Sequence, residues 1–133
     1  MQTGQALADA FKLTIATELD LGEHRRETAT YFDSEAKFRA AVHDLLTNPD
    51  QLIFGEETGT QAYRRFRTAI DNILADYAGK TVIVVTHGTV MSLFLAQAAG
   101  VEPVEFWESL GMPAYVILDL PEFKIVKRVR EVK

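Results

Sequence analysis

The stretch TVIVVTHGT, residues 81 to 89, limits the fold more than any other part of the chain. Its first six residues are all β-branched and do not alternate with charged residues, the pattern of a central strand covered on both faces. His87 and Gly88 end the strand, and a helix is predicted from Val90 to Ala99, stopped by Gly100. A strand, turn and helix in this order predict an α/β fold.

The other predicted elements agree with this class. Apolar residues recur at helical spacing in the first dozen residues, in the segment after Ser34 and from about Thr60 to Tyr77, and Pro103 begins a short helix. Alternating apolar residues predict a strand over 13–21. Two further strand patterns, 114–120 and 123–129, flank Pro121 and Glu122 and predict a hairpin with its second strand at an edge.

Length and composition exclude several classes of protein. With 133 residues, of which 47% are hydrophobic, the chain is predicted to form one domain over 1–133. A net charge of −5 with both signs mixed along the chain argues against a nucleic-acid surface. No basic leader and no apolar run near the roughly 20 residues of a membrane helix is visible. We therefore expect a cytoplasmic protein that binds no nucleic acid and no membrane.

His87, Gly88 and Thr89 form a candidate anion site. Backbone N–H groups at Gly88 and Thr89 are expected to point into a crevice at the carboxyl end of the sheet, where an imidazole could donate to a phosphoryl oxygen. The alternative is a histidine that only hydrogen-bonds a neighbouring loop, and a motif this short fits both interpretations. A nucleotide-binding fold ranks last, because the chain has no GxGxxG or GxxxxGK sequence.

Four stretches, taken in order, resemble the histidine phosphatase superfamily, which has the phosphoglycerate mutase-like fold. They are QTGQALADAF, LDLGEH, FGEETGTQAYRRFRTAI and VIVVTHG, and the resemblance runs from about Gln2 to Leu120. It implies a three-layer α/β/α domain with a mainly parallel sheet. It also implies phosphoryl transfer from a small phosphorylated molecule, with neither metal nor cofactor.

The resemblance assigns roles to two residues. His87 matches the histidine that contacts the transferred phosphoryl group, together with Gly88 and Thr89 as phosphate-binding neighbours. Glu23 matches the acid that protonates the leaving oxygen, although Glu18 or Glu27 could be confused with it. These assignments make His87 and Glu23 the candidate catalytic residues.

Three further residues are candidates for the substrate side of the site. Glu57 lies in the Gly-Glu-Ser-like segment, where it either supports the site, contacts substrate or has no role. Arg25 and Arg26 follow Glu23 and either face the mouth of the pocket or form a solvated turn. His24 and His43 match no catalytic position.

The family's nucleophile is a histidine in an Arg-His-Gly motif, which does not occur in these residues. By the resemblance, the first strand, the next helix and both phosphate-binding arginines would lie upstream of Met1, so we expect an N-terminally truncated domain without turnover. Strand 81–86 would then have an open edge, which predicts a homodimer. The alternative is a non-catalytic module that binds an anion, such as inorganic phosphate, or a partner protein.

Overall fold

The computed structural model describes residues 2–29 and 31–133, and most of its regular structure is helical. The helices are α1 (Gln2–Phe11), α2 (Glu35–Thr47), α3 (Gly59–Asp76), α4 (Gly88–Ala99) and α5 (Pro103–Glu108), with a short 3₁₀ helix at Leu19–Leu21. The strands are β1 (Tyr115–Asp119) and β2 (Lys124–Val129). In the part of the chain that is described, no helix is both long and apolar enough to cross a bilayer.

Local chemistry accounts for where the helices begin and end. Ser34 caps α2, because its hydroxyl accepts a hydrogen bond from Lys37 N–H. Thr58 and Gln61 form a reciprocal capping box at the start of α3. Gly100 ends α4 with a left-handed backbone (φ 68°), a conformation that costs glycine little. All five predicted helices are confirmed, and α4 begins at Gly88, two residues earlier than predicted.

The core forms where α3 packs against α4 and α4 packs against α5. Phe66, Phe94 and Phe106 are buried there, and Phe123 of the hairpin turn joins the same cluster. The helix α2 covers the other side of α4 through a second apolar cluster, whose buried members are Val42, Leu46, Ala62 and Leu93. Both clusters pack on α4, so the residues at its amino end are supported from two sides.

The predicted hairpin is confirmed as an antiparallel pair of β1 and β2. This pair is the only sheet in residues 2–29 and 31–133. Helices and strands together are compatible with the α/β class, but the expected mainly parallel sheet in three layers is not confirmed.

The predicted strands 13–21 and 81–86 were wrong for the described structure, since neither segment joins a sheet. Residues 19–21 form the 3₁₀ helix instead. Segment 81–86 alternates between more and less exposed residues, as an extended chain does, but within the described ranges its backbone takes part in no ladder. A strand needs a neighbour for its N–H and C=O groups, and no described residue makes a backbone hydrogen bond with this segment.

Candidate functional site

The carboxylate of Glu23 lies against the amino end of α4. Its Oε1 atom accepts hydrogen bonds from the N–H groups of Val90 (3.0 Å) and His24 (2.9 Å), and its Oε2 atom accepts one from Thr89 N–H (3.2 Å). The first N–H groups of a helix have no partner within the helix and attract negative charge. Since His87 is the residue that precedes α4, the two candidate catalytic residues lie at one helix end.

His87 caps α4 with an extended backbone (φ −119°, ψ 160°), and its imidazole makes no capping hydrogen bond. The residue is exposed, so the ring is accessible to a ligand. Gly88 faces α5 and the turn after it, where an added Cβ would make ordinary van der Waals contacts, 3.6 Å from Trp107 and 3.4 Å from Leu110. Of the predicted anion-binding groups, Thr89 N–H is already bonded to Glu23.

The structure separates Glu23 from the two carboxylates that could be confused with it. Glu18 caps the 3₁₀ helix, where its Oε1 atom accepts from Asp20 N–H at 3.0 Å. Glu27 is exposed further along the loop. Among the described residues, Glu23 supplies the only carboxylate that accepts hydrogen bonds from the first turn of α4.

Glu57 and Arg65 form a buried ion pair beside this site, with side chains 7% and 11% exposed. Arg65 Nε donates to both carboxylate oxygens, at 3.2 and 3.0 Å, and Arg65 Nη2 donates to Oε1 at 2.6 Å. The N–H of Arg25 donates to the same oxygen at 2.8 Å. Glu57 therefore faces the scaffold, where it holds Arg65 and the backbone of the loop after Glu23.

Residues 54–57 and the loop that carries Glu23 are joined through their backbones. Gly55 has φ 77° and approaches so closely that a Cβ would lie 2.3 Å from Arg25 O, which only glycine permits. Glu56 N–H donates to that carbonyl at 2.9 Å. The buried ring of His24 lies with Nε2 2.8 Å from Glu57 O. His24 therefore serves as a structural link between the two segments.

A family model for the histidine phosphatase superfamily (branch 1) matches residues 1–124. The chain belongs to this superfamily. The matched range contains all of the candidate site residues described above. A search of curated proteins and a search of solved structures each found no match.

Next to Glu23, this member of the histidine phosphatase superfamily has an open pocket of about 440 Å³. Arg26 connects the two, because its Nη2 atom is 3.7 Å from Glu23 Oε2 and its guanidinium lies over the Phe38 ring at 5.1 Å. Arg25 instead pairs with Asp20 on the surface at 3.1 Å. The pocket is lined by Arg26, Ala29, Tyr31, Phe32, Ser34, Glu35 and Phe38.

The sequence and the structure differ on the importance of one basic residue, Arg65. Sequence reasoning found no role for Arg65, which the structure places at the centre of the polar contacts behind Glu23. A usable signal was its spacing of eight residues from Glu57, which is about two helical turns. His43 Nε2 lies 2.8 Å from Glu108 Oε1 but makes no hydrogen bond to a described residue, and His43 is partly exposed, which is one of the two states predicted for it. Within residues 2–29 and 31–133, no group of three or more His, Asp or Glu side chains is placed to hold a metal.

Burial alone would raise the pKa of Glu57, but hydrogen bonds from Arg65 and from Arg25 N–H, with the charge of Arg65, hold that pKa below its usual 4.5. A carboxylate whose pKa is lower in the folded state stabilises the fold fully above 4.5, and this contribution is lost as the pH falls through the lowered pKa. Glu57→Gln is therefore expected to destabilise the chain by about 3 kcal/mol near neutral pH, and the difference should narrow below pH 4.5.

Urea unfolding of the wild type and Glu57→Gln at a series of pH values measures this difference. Glu122→Gln is the matched control, because Glu122 is exposed in the hairpin turn and its loss should change stability by less than about 0.5 kcal/mol. A stability difference for Glu57→Gln that stayed constant from neutral pH to well below 4.5 would show that the pKa of Glu57 is not lowered by its contacts in the folded state.

Proposed function

We propose that the complete domain transfers or hydrolyses the phosphoryl group of a small phosphomonoester through a phosphohistidine, without a metal. Membership of the histidine phosphatase superfamily supports a phosphatase or mutase. The observation that carries the proposal is the binding of the Glu23 carboxylate to the first turn of the helix that follows His87. An acid and an accessible imidazole at one helix end suit the transfer of an anionic group.

The proposed roles follow from the chemistry of the step. A histidine nitrogen of an Arg-His-Gly motif bonds to phosphorus as the phosphorus–oxygen ester bond breaks. His87, with the N–H groups of Gly88 and Thr89, stabilises the negative charge on the phosphoryl oxygens. A protonated Glu23 gives its proton to the leaving oxygen, and as a carboxylate it later takes a proton from the attacking water or alcohol.

The two oxygens of Glu23 divide these tasks. Oε1 has the two shorter hydrogen bonds, to Val90 and His24 N–H, and it anchors the side chain. Oε2 accepts one longer hydrogen bond, 3.2 Å from Thr89 N–H, and lies 3.7 Å from Arg26 Nη2 at the side of the pocket, and it is the atom that carries the transferred proton. Protonation of Oε2 weakens its attraction for Thr89 N–H, which then becomes available to a phosphoryl oxygen.

The pocket beside Arg26 is the proposed site for the leaving group. Its aromatic lining suits an apolar or planar group, and the Arg26 guanidinium can contact an oxygen near the phosphorus. Arg25 pairs with Asp20 on the surface, and the N–H of Arg25 donates to the Glu57 carboxylate. Both residues therefore act on the substrate indirectly, by fixing the shape of the loop that follows Glu23.

These 133 residues contain no Arg-His-Gly sequence, so we expect no turnover from this polypeptide alone. We propose that the mainly parallel three-layer sheet forms when the family's first strand pairs with segment 81–86. That pairing would provide a neighbour for the backbone groups of the segment and place the nucleophile beside His87.

An assay with aryl and alkyl phosphates tests this expectation. The purified chain and His87→Ala should release phosphate at the same background rate, since neither supplies the nucleophile. Turnover by the wild-type chain that disappeared in His87→Ala would show that catalysis depends on His87 without an Arg-His-Gly nucleophile, and it would overturn our account of the mechanism.

The second candidate function is a non-catalytic module that binds an anion or a partner. The unpaired segment 81–86 favours it, because exposed β-branched residues next to an accessible His87 can serve binding without chemistry. Inorganic phosphate should then raise the melting temperature of the wild type but not of His87→Ala. A phosphate-dependent shift in the 133-residue chain, with no gain of activity when the family's N-terminal segment is added, would favour this module over the enzyme.

A further inference from the structure

Among the described residues, the guanidinium of Arg65 makes more hydrogen bonds than any other side chain. Besides Glu57, it donates to three backbone carbonyls, with Nη1 2.8 Å from Asp20 O and 3.0 Å from Gly22 O, and Nη2 2.8 Å from Glu23 O. A guanidinium has five N–H groups, and all five have acceptors in this arrangement. The use of all five donors by a largely buried side chain indicates that the geometry around Arg65 is specific.

The carbonyls that Arg65 contacts belong to the turn that ends in Glu23. The carbonyl between them in sequence, Leu21 O, accepts from the Thr86 hydroxyl at 2.7 Å. Residues 20 to 23 thus have every carbonyl held by a side chain, three by α3 and one by the residue before His87. A turn fixed on both sides leaves Glu23 little freedom to leave the amino end of α4.

Lysine cannot replace arginine in this position. An ammonium group presents its three N–H donors from one nitrogen, whereas these acceptors surround a planar fork and include both oxygens of Glu57. Glu57 in turn orients the fork and neutralises its charge, and it accepts from Arg25 N–H two residues beyond Glu23. Arg65 and Glu57 therefore act as one unit on the backbone of the acid loop.

We infer that Arg65 is a positioning residue which, through the carbonyls of residues 20, 22 and 23, keeps the Glu23 carboxylate on the N–H groups of Thr89 and Val90. The inference rests on the proposed function only in giving Glu23 a catalytic task. The positioning itself is a statement about two hydrogen bonds, and it can be tested without any substrate.

Amide hydrogen exchange followed by NMR tests it in the intact 133-residue chain. The readout is the exchange rate of the Thr89 and Val90 amides divided by that of Val42 and Leu45, which are buried in α2. Arg65→Lys should raise this ratio about tenfold, the loss expected for one hydrogen bond of roughly 1.4 kcal/mol, and Glu23→Ala should raise it by a similar factor.

Arg64→Lys is the matched control, because it makes the same change one residue away on the exposed side of α3 and should leave the ratio unchanged. Glu57→Gln is a second variant, which keeps the arginine, loosens the guanidinium and should shift the ratio in the same direction. If Arg65→Lys does not fold, the exchange ratio of Glu57→Gln decides whether the inference holds.

Uniformly faster exchange in α2 and α4, with an unchanged ratio, would show that Arg65 only stabilises the fold and would overturn the inference. A raised ratio in Arg64→Lys equal to that in Arg65→Lys would do the same. The exchange experiment measures no turnover, so its result stands even if the proposed phosphoryl transfer is wrong. Likewise, an exchange ratio that contradicts the positioning of Glu23 does not change the result of the activity assay.

Discussion

A fusion that places a strand ending in Arg-His-Gly, the family's next helix and its phosphate-binding arginines ahead of Met1 is expected to turn the chain into a phosphomonoesterase. The segment would supply the nucleophile and the cationic donors, which residues 1–133 do not replace. Loss of one member of a cooperating catalytic set costs on the order of a million-fold, so the gain in rate should be of similar size. Release of inorganic phosphate from aryl and alkyl esters measures it.

Changing Glu23 in the fusion protein tests the acid. Glu23→Gln should slow hydrolysis of an alkyl phosphate by about 10²–10⁴-fold, because its leaving oxygen needs a proton, and it should affect a nitrophenyl ester much less. Glu27→Gln is the control in the same loop. Full activity of Glu23→Gln toward the alkyl ester would show that another group protonates the leaving oxygen.

Self-association is the second large expected effect. Ile83 and Val85 are 51% and 43% exposed on a segment that pairs with no strand among the described residues. Covering about 400 Å² of apolar surface contributes about 10 kcal/mol at 25 cal/mol per Å², against an association cost of about 4–15 kcal/mol. We therefore expect a homodimer at micromolar concentration, formed through segment 81–87 or its flanking helices, and light scattering should give twice the chain mass.

Two lysine substitutions locate the contact. Ile83→Lys should yield a monomer, because a charge on this segment opposes strand pairing and burial. Val126→Lys, at an even more exposed apolar position on β2, should leave the dimer intact. A monomeric wild type with cooperative unfolding would contradict the prediction, and so would a dimer that only Val126→Lys disrupts.

Helices were predicted well from the sequence because their signals are local. Ser34, the Thr58 and Gln61 pair, and Gly100 each act within a few residues of the helix end that they determine. The hydrogen bonds of a helix are made inside the segment, so periodicity and caps carry enough information. The hairpin was predicted for a similar reason, since its two strands are neighbours in sequence.

Strands with distant partners could not be predicted in this way. Segment 81–86 has the composition of a central strand, but composition does not show whether a neighbour is present. The apolar pattern of 13–21 likewise did not indicate the 3₁₀ helix at Leu19–Leu21. A ladder depends on backbone groups far away in the chain, and a sequence window does not contain them.

The sequence by itself determined the family, the helices and the candidate pair of His87 and Glu23, because each has a short motif or a local pattern. Only the tertiary structure decided which of the three glutamates binds the amino end of α4. It also showed that Arg65 holds the loop that carries Glu23. Those contacts join residues more than 40 positions apart, and they exist because packing of α3 against α4 and the 3₁₀ helix brings the groups within hydrogen-bonding distance.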